Sequence, residues 1–452
     1  MRPIRLPGPP SGEIPGTLGS SEGLVSGVIR RAAIIGNGFS GAESQCLGLV
    51  RALGLSSGLT LYRATRPRGG LNKWLHWLPV SIHRRVDSLI RSIYDDYWRY
   101  GGNANAHMGT PSSTERTGIL WENCNSLSDL ELKKFNNLNG KVAGLADAKQ
   151  IARMARDTFN KDGPLLVVAS GSGTISVSSS IRRLAPENVF VVQIQHPRSR
   201  LNRFDLVITP HHDYYPLTPQ AQEQVPWFLR KWITPREPPD RHVVLTVGAL
   251  HLADSAALRT AASVWHDELA VLLKPLLVVN IGGPTSNCEY GTDLAEQLTD
   301  MLRKVLWSCG SVRISFSRRT PQKVSNVLVK EFSNNHKVYI WDGKGPNPHM
   351  GHLALADAFV ITADSVSMLS EACSTGKPVY VVGAERCTWK FADFQKRLYD
   401  HGVVRPFTGE EDISEVWSYP PLNDTAEGAR HVMDALAERG WRIQSAENDV
   451  LF

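Results

Sequence analysis

Long apolar runs and closely spaced cysteines are both missing from this 452-residue sequence. No stretch approaches the roughly 18 consecutive apolar residues of a membrane-spanning helix, so we expect no transmembrane segment. The first residues are rich in proline and have no apolar core of the kind that a signal peptide requires. Their prolines also prevent the amphipathic helix of a mitochondrial transit peptide. We therefore expect that the protein is not imported and that residues 1–29 form a disordered tail.

Cysteine is scarce, and the six cysteines form no Cys-x-x-Cys pair. They lie in or beside apolar runs, a pattern that favours reduced thiols in the cytosol over disulfides or a zinc site. Two candidate metal-binding clusters, His211-His212-Asp213 and His349-x-x-His352, lie beside turns rich in proline or glycine, with no further ligand in sight. We therefore expect no metal site.

The composition is 42% hydrophobic and 21% charged, which is typical of a globular protein, and the length suits two α/β domains. Short apolar strands alternate with helices, and this order predicts parallel sheets that are doubly wound. We expect an α/β fold of two Rossmann-like doubly wound parallel-sheet domains that face a cleft. The expected boundaries are 30–235 with an insertion at about 63–140, then 241–385 beginning with the strand Val243–Val247, and helices over 386–452 that pack back on the first domain.

The most informative stretch is Asp357–Val382, which reads as strand, tight turn, helix, Gly-Lys-Pro break and strand. Asp364 or Ser365 can cap the helix, whose first N–H groups would then be available to an anion. Glu371 falls about two turns into the helix, where a carboxylate can accept both hydroxyls of a ribose. The motif resembles the nucleotide-sugar half-site of GT-B glycosyltransferases. An ordinary βαβ unit with a solvated Glu371 is the alternative.

Two other loops of the expected second domain also follow strands. Gly282 and Gly283 come after a buried strand and would expose N–H groups, and Arg318 and Arg319 can bind diphosphate oxygens. Open α/β sheets bind their ligands at the carboxyl ends of the strands, where these loops would meet the Asp357–Val382 motif. The three features together predict a site for a nucleotide or nucleotide sugar. The alternative for the two arginines is simple surface charge.

A glycine loop also follows the first strand. Gly36, Gly38 and Gly41 form the spacing Gly-x-Gly-x-x-Gly, a formal dinucleotide fingerprint and a phosphate-type loop. The second strand ends in Arg63 instead of an acidic residue, which would suit a 2′-phosphate, so an NADP-dependent oxidoreductase is an alternative. No Tyr-x-x-x-Lys pair accompanies the loop. The other interpretation is a tight turn from strand to helix.

Glycosyl transfer would need a general base or a group that stabilises an oxocarbenium ion. Glu43 in the first helix and Asp213 near the end of the first domain are the candidate residues. Neither has a supporting partner that can be identified from the sequence, so the sequence does not establish catalysis.

Nearly all of the net charge of +6 lies between Arg63 and Arg99, where eight basic residues accompany three acidic ones. Tryptophans alternate with these cations, which suits an anionic membrane surface or a protein partner. A pair of amphipathic helices with a buried apolar face is the alternative. We expect no nucleic-acid binding, because the rest of the chain is nearly neutral. The candidate membrane or partner surface comprises Trp74, Trp77, Arg84, Arg85, Arg91 and Trp98.

Over about residues 30–445, the sequence resembles the plant mitochondrial fission family known as "elongated mitochondria". The matching blocks are Ile34–Leu53, Gln195–Arg198, Phe204–Asp213, Asn280–Pro284, Ser315–Thr320 and Asp364–Val382. The resemblance implies a GT-B-like fold and a peripheral protein on the cytosolic face of the mitochondrial outer membrane, with a cytosolic pool. It also implies recruitment of dynamin-related GTPases to mitochondrial and, as a wider role, peroxisomal division. The resemblance supplies no catalytic residues, and a glycosyltransferase that uses a nucleotide diphosphate sugar is the main alternative.

Overall fold

The structure is a computed structural model that describes residues 27–55, 58–64, 141–197, 201–214, 227 and 241–444. Strands and helices alternate through most of this length, as expected for an α/β protein. The first elements are β1 (Val28–Ile29), β2 (Arg31–Gly36), α1 (Ser40–Ala52), β3 (Leu59–Arg63), β4 (Lys141–Leu145), α2 (Ala148–Asp162), β5 (Leu165–Ser170), α3 (Ile175–Leu184), β6 (Val189–Ile194), β7 (Leu206–Pro210) and β8 (Val243–Thr246).

The later elements begin with a helix that follows β8. They are α4 (Ser255–Val264), β9 (Leu276–Ile281), α5 (Thr292–Val305), β10 (Ser311–Phe316), α6 (Gln322–Phe332), β11 (Val338–Ile340), α7 (His349–Leu355), β12 (Ala358–Thr362), α8 (Val366–Cys373), β13 (Val379–Val382), α9 (Trp389–Asp400), β14 (Arg405–Pro406), α10 (Asp424–Glu438) and β15 (Arg442–Ile443). Short 3₁₀ turns at Leu201–Arg203 and Ala384–Arg386 and a π-helical turn at His266–Ala270 complete the set.

The first sheet has seven strands in the order β4-β3-β2-β5-β6-β7-β8, and every neighbouring pair is parallel. Its central strands are buried on both faces. Ile34 belongs to a core cluster that includes residues of α1, whereas its neighbour Ile35 belongs to a cluster that includes residues of α2 and α3. Helices therefore cover both faces, and the prediction of a doubly wound parallel sheet is confirmed.

The second sheet has six strands in the order β11-β10-β9-β12-β13-β14, again parallel throughout. The central strand β9 is buried over its whole length, which explains why Asn280 is its only polar residue. One core cluster contains Val278, Leu298, Phe359 and Phe394, so β9, α5, β12 and α9 share a single apolar interior.

The strand β8 corrects the expected assignment of strands to the two units. The sequence predicts that β8 begins the second domain, but its residues pair in register with β7, from Val207 opposite Val243 to Pro210 opposite Thr246. Its apolar residues would suit the edge of either sheet, and the preceding proline-rich stretch gave the misleading signal. The chain leaves the first sheet only after β8.

The segment after β8 is fixed by side chains from two helices. The N–H groups of Val247 and Gly248 each donate to the Asp424 carboxylate at 2.9 Å. The N–H of Ala249 donates to Ser370 Oγ at 2.8 Å, and that of His251 donates to Thr425 Oγ1 at 3.0 Å. Residues of α8 and α10 therefore hold the crossing between the sheets, which we call the junction segment (residues 247–251).

Helix α10 then returns to the first sheet. Ala429, Val432 and Leu436 are buried in the same core cluster as Ile34. The terminal strand β15 pairs in parallel with β1 as a separate two-stranded sheet. The last helix of the described chain therefore completes the core of the first sheet.

The carboxyl ends of the two sheets face each other. A Cβ at Gly41, at the start of α1, would lie 3.9 Å from Ser367 Oγ in α8. After β7, Asp213 Oδ1 pairs with Lys390 Nζ of α9 at 2.7 Å. The His212 and Phe394 rings also meet there, with their centroids 4.9 Å apart. The loops that follow the strands of one sheet thus meet helices that follow the strands of the other.

Candidate functional site

A buried carboxylate lies at the centre of the carboxyl edge of the second sheet. Asp364 comes two residues after β12, and its side chain is fully buried. It accepts four hydrogen bonds, from Gly283 N at 3.0 Å, Tyr290 OH at 3.1 Å, Thr362 Oγ1 at 2.7 Å and Arg319 Nη2 at 2.7 Å. The loops after β9, β10 and β12 converge on this one group, which we call the Asp364 hub. From the sequence, Asp364 is predicted only as a helix cap.

The hub brings together several of the residues predicted to bind a nucleotide, but their polar groups form hydrogen bonds within the protein. Gly282 N donates to Thr362 Oγ1 at 2.7 Å, and Gly283 N donates to Asp364. The expectation that these two N–H groups are exposed is therefore wrong. Arg319 is engaged as well, because Nη1 donates to Gly283 O at 2.8 Å and Nη2 donates to Asp364.

The two glycines have a packing reason. A Cβ at Gly282 would lie 2.2 Å from Asp364 Oδ2, and one at Gly283 would lie 2.1 Å from Arg319 O. Any side chain at either position would displace the hub. The glycine pair resembles a phosphate loop in the sequence, but the structure gives another reason for it. Asp364 and Arg319 approach these two positions too closely for any residue larger than glycine.

The remaining residues of the predicted site lie beside the hub. Arg318 is exposed on the turn that carries Arg319. Ser365 is buried at the start of α8, but its side chain makes no hydrogen bond to the first N–H groups of that helix. The expected side-chain cap of α8 is therefore not formed by Ser365.

Glu371 is paired with a histidine that the sequence suggests only as a candidate metal ligand. Glu371 Oε2 lies 2.7 Å from His349 Nε2, at the start of α7, and the two side chains are 17% and 26% exposed. Burial alone would raise the pKa of Glu371, but the charge and hydrogen bond of His349, together with the charge of His251, lower it overall. The alternative of a solvated Glu371 is wrong. No signal in the sequence pairs residues 22 positions apart on different helices.

His251 lies in the junction segment close to this pair. Its Nδ1 accepts from Ala253 N at 3.2 Å, while Nε2 is buried without a hydrogen-bond partner. Burial lowers the pKa of His251, and the neighbouring Glu371 opposes that shift. The imidazole therefore adds a second histidine to the surroundings of Glu371.

The glycine loop of the first sheet contains a second buried carboxylate. Glu43 is fully buried, and its Oε1 accepts from Gly38 N at 3.0 Å. Arg63 forms a bidentate pair with it, from Nε to Oε1 and from Nη2 to Oε2, both at 3.0 Å. A Cβ at Gly36 would lie 2.4 Å from Glu43 Oε1, which explains that glycine.

These contacts correct two predictions at once. Glu43 has both oxygens occupied, so it is not placed to act as a general base. Arg63 is bound to Glu43 and is not reserved for the 2′-phosphate of NADP. The geometry favours the interpretation of the loop as a tight turn from strand to helix, and it removes the residue on which the oxidoreductase alternative depended.

The other catalytic candidate, Asp213, has a partner from the opposite half of the protein. Its pair with Lys390 is about one-fifth exposed on each side and joins the loop after β7 to α9. The sequence gave no sign of this contact, because the two residues are 177 positions apart. The arrangement is that of an ion pair between the two halves.

Several predictions lie outside the described residues. These are the 1–26 part of the N-terminal tail, nearly all of the 63–140 insertion and the whole candidate membrane or partner surface of Trp74, Trp77, Arg84, Arg85, Arg91 and Trp98. Within the described ranges, no three His, Cys, Asp or Glu side chains are grouped as metal ligands. No helix in those ranges is both long and apolar enough to cross a bilayer.

Two Rossmann-like parallel sheets with facing carboxyl ends, completed by a C-terminal helix that returns to the first sheet, make this a GT-B-like α/β protein. The sequence matches the family model for mitochondrial fission ELM1 over residues 40–436. It is 60% identical over 447 residues to mitochondrial fission protein ELM1 of Arabidopsis thaliana, covering 98% of this chain and 100% of that one. The chain belongs to the mitochondrial fission ELM1 family.

More distant likenesses add little. Uncharacterized protein RP120 of Rickettsia prowazekii is 29% identical over 300 residues, covering 63% of this chain and 83% of that one. The solved UDP-GlcNAc 2-epimerase of Methanocaldococcus jannaschii is 12% identical with a TM-score of 0.44, covering 89% of this chain and 98% of that one. The E. coli ADP-heptose heptosyltransferase II is 9% identical with a TM-score of 0.37, covering 91% and 99%. At this distance neither structure informs the function of the chain.

Proposed function

We propose that this chain is a mitochondrial fission factor that recruits dynamin-related GTPases to the cytosolic face of the mitochondrial outer membrane. The observation that carries the proposal is the 60% identity to the Arabidopsis fission protein over the full length of that relative. The protein would act as a peripheral adaptor with a cytosolic pool, and it would serve peroxisome division in the same way. Its described residues act as a scaffold in this proposal.

The polar groups of the second sheet support a scaffold over a glycosyltransferase. A nucleotide site at this edge would need free N–H groups and a free arginine for the diphosphate. Gly282, Gly283 and Arg319 instead bond to Thr362 and Asp364 within the protein. A ligand would have to break these buried contacts before it could bind.

The junction segment supports the same choice. Enzymes that close on a substrate need freedom in the segment that connects their two lobes. Four N–H groups between Val247 and His251 are bound here by side chains of α8 and α10. Such a junction favours a fixed relation between the two sheets, which suits a platform for a partner.

The proposal is tested in Arabidopsis cells that lack the 60% identical relative and express this chain. We expect the chain to restore the wild-type length of mitochondria, which are longer without the fission protein. We also expect it to restore the wild-type number of dynamin-related GTPase foci on the mitochondrial surface. Counts of foci and mitochondrial lengths from fluorescence images measure the effect. Normal foci in cells that lack both proteins would refute the proposal, and so would a well-expressed chain that restores none.

The basic segment between Arg63 and Arg99 provides a variant with a matched control. Reversing the charge at Arg84, Arg85 and Arg91 to glutamate should reduce the foci, because cations near tryptophans suit an anionic surface or a partner. The control makes the same change in net charge on the exposed face of α2, at Lys149, Arg153 and Lys161. Equal effects of the two triple variants would count against the basic segment as the recruiting surface.

The glycosyltransferase alternative has its own test. We expect uridine and adenosine diphosphates at millimolar concentration to leave the melting temperature unchanged, and the Glu371→Gln variant to restore foci as the unaltered chain does. Glutamine keeps a hydrogen-bonding group beside His349 while it removes the charge. A nucleotide-dependent rise in melting temperature that is lost in Glu371→Gln, together with loss of foci, would favour the alternative.

A further inference from the structure

Two cysteines from distant parts of the chain lie in direct contact beside the second sheet. Cys288 Sγ and Cys387 Sγ are 2.8 Å apart, and the residues are only 1% and 7% exposed. Cys288 belongs to the loop between β9 and α5, and Cys387 lies just before α9. Both thiols also point towards the Gly383 carbonyl, at 4.0 and 3.9 Å.

The backbone at this contact already has the form that a disulfide needs. The two residues are directly opposite in an isolated antiparallel bridge. Opposed antiparallel residues have Cα atoms about 4.5–5.5 Å apart, which falls inside the range of about 4.4–6.8 Å found across disulfides. Thr388 N donates to Asn287 O at 2.7 Å and holds the two segments together. The sulfurs need to approach by only about 0.8 Å more to reach bonding distance.

The other cysteines in the described ranges do not share this arrangement. The thiols of Cys309 and Cys373 donate to the backbone carbonyls of Val305 and Val403. Among the five described cysteines, only Cys288 and Cys387 have a second sulfur in hydrogen-bonding contact. Contact geometry therefore selects one pair.

We propose that Cys288 and Cys387 form a reversible disulfide when the protein is exposed to a peroxide. One thiol, as its thiolate, attacks the peroxide oxygen to give a sulfenic acid and releases water. The second thiol attacks that sulfur, the S–S bond forms and a second water leaves. Two thiols and one hydrogen peroxide are thus converted into one disulfide and two waters, and a dithiol reductant reverses the change.

The surroundings of the pair make this reaction slow. The contact with Cys288 and burial both raise the pKa of the Cys387 thiol well above its ordinary value. A protonated thiol is a poor nucleophile, so brief exposure to peroxide should leave the pair reduced. This agrees with a reduced state in the cytosol and a response to sustained oxidation only.

The disulfide would cross-link the start of α9 to the loop above β9. Helix α9 carries Lys390 and Phe394, which contact Asp213 and His212 of the first half. The bond would close a loop between residues 99 positions apart, and long loops give large constraints on the unfolded chain. Oxidation should therefore stabilise the folded second sheet and its helices, to which α9 belongs.

The test uses the full-length protein, first reduced, freed of reductant and then incubated with hydrogen peroxide under native conditions. Free thiols are blocked with iodoacetamide in denaturant, the disulfides are reduced, and the new thiols are labelled with N-ethylmaleimide. Peptide mass spectrometry should find the second label on Cys288 and Cys387 and the first label on Cys309 and Cys373. The melting temperature should rise by roughly 5 °C and fall back after dithiothreitol.

Two variants serve as controls. The Cys387→Ser protein should not show the thermal shift, whereas Cys309→Ser should behave as the unaltered chain. Iodoacetamide on both Cys288 and Cys387 after prolonged native oxidation would overturn the proposal. A disulfide that appears only when peroxide is added to urea-unfolded protein, or one that joins either residue to another cysteine, would overturn it as well.

Discussion

Replacing Asp364 by alanine should be among the most destabilising single changes in the second half of the protein. The change removes the acceptor of three buried donors, Gly283 N, Tyr290 OH and Thr362 Oγ1. Each unsatisfied donor costs about 1–3 kcal/mol. The alanine variant also avoids the desolvation cost of a buried carboxylate, which offsets part of that loss. Arg319 adds little, because its side chain is 47% exposed and returns to water. We expect a net loss of about 3 kcal/mol.

Urea unfolding followed by circular dichroism measures this loss, with thermal melting as a second readout. The matched control is Ser365→Ala at the next position, which is buried but makes no capping hydrogen bond. The control should change the free energy of unfolding by less than about 1 kcal/mol. The Asp364→Asn variant keeps the shape and one acceptor, so it should fall between the two.

The result that would refute this reasoning is an Asp364→Ala protein that is no less stable than Ser365→Ala. The carboxylate would then not organise the loops after β9 and β10. A large loss of stability confined to Asp364→Ala and graded through Asp364→Asn is the expected pattern.

Two further predictions concern the first half of the protein. The Arg63→Ala variant leaves Glu43 as a buried charge without its cation, so its free energy of unfolding in urea should fall by about 3–5 kcal/mol. The control Arg51→Ala breaks a more exposed pair with Asp254 and should lose under about 1 kcal/mol. Equal losses in the two variants would contradict the assignment. His212 is buried, and burial lowers its pKa to about 4. The unfolded histidine titrates near 6.5 and binds more protons over that interval, so up to about 3 kcal/mol of stability, fully present above pH 6.5, is lost as the pH falls to about 4. The His212→Gln protein should have a flatter stability profile between these pH values, and an unchanged slope would disprove the assignment.

Much of the architecture follows from the sequence for a simple reason. Central strands of a parallel sheet are buried on both faces, so β2, β5, β9 and β12 each contain a short apolar run between turn residues. Edge strands carry a weaker signal. The sequence does not predict β4, which lies at the end of the first sheet, and it predicts the wrong sheet for β8.

The candidate site was harder to predict, because its contacts join residues far apart in the chain. Acidic residues are rarely buried, so Glu43 and Glu371 are predicted from the sequence to face a ligand. Their partners, Arg63 and His349, lie 20 and 22 positions away and on other elements. Glycine spacing predicted tight loops correctly, but it could not reveal which group approaches the glycine so closely.

The two halves use the same device at the loop after their first central strand. In the first sheet, the Gly38 N–H donates to the Glu43 carboxylate, and Arg63 at the end of the neighbouring strand β3 neutralises that carboxylate. Arg63 is bidentate, so the charge is satisfied on both oxygens. The loop, its anion and its cation form a closed set.

In the second sheet, the Gly283 N–H donates to the Asp364 carboxylate, and Arg319 follows the neighbouring strand β10. Loop N–H groups and an adjacent arginine are the elements with which α/β proteins bind phosphate. Here a carboxylate of the protein itself supplies the negative charge in both halves. A phosphate could bind at either loop only by displacing a buried carboxylate that an arginine already neutralises. The loops therefore keep the geometry of phosphate-binding loops, but their N–H groups and arginines bind the protein's own carboxylates and stabilise the fold.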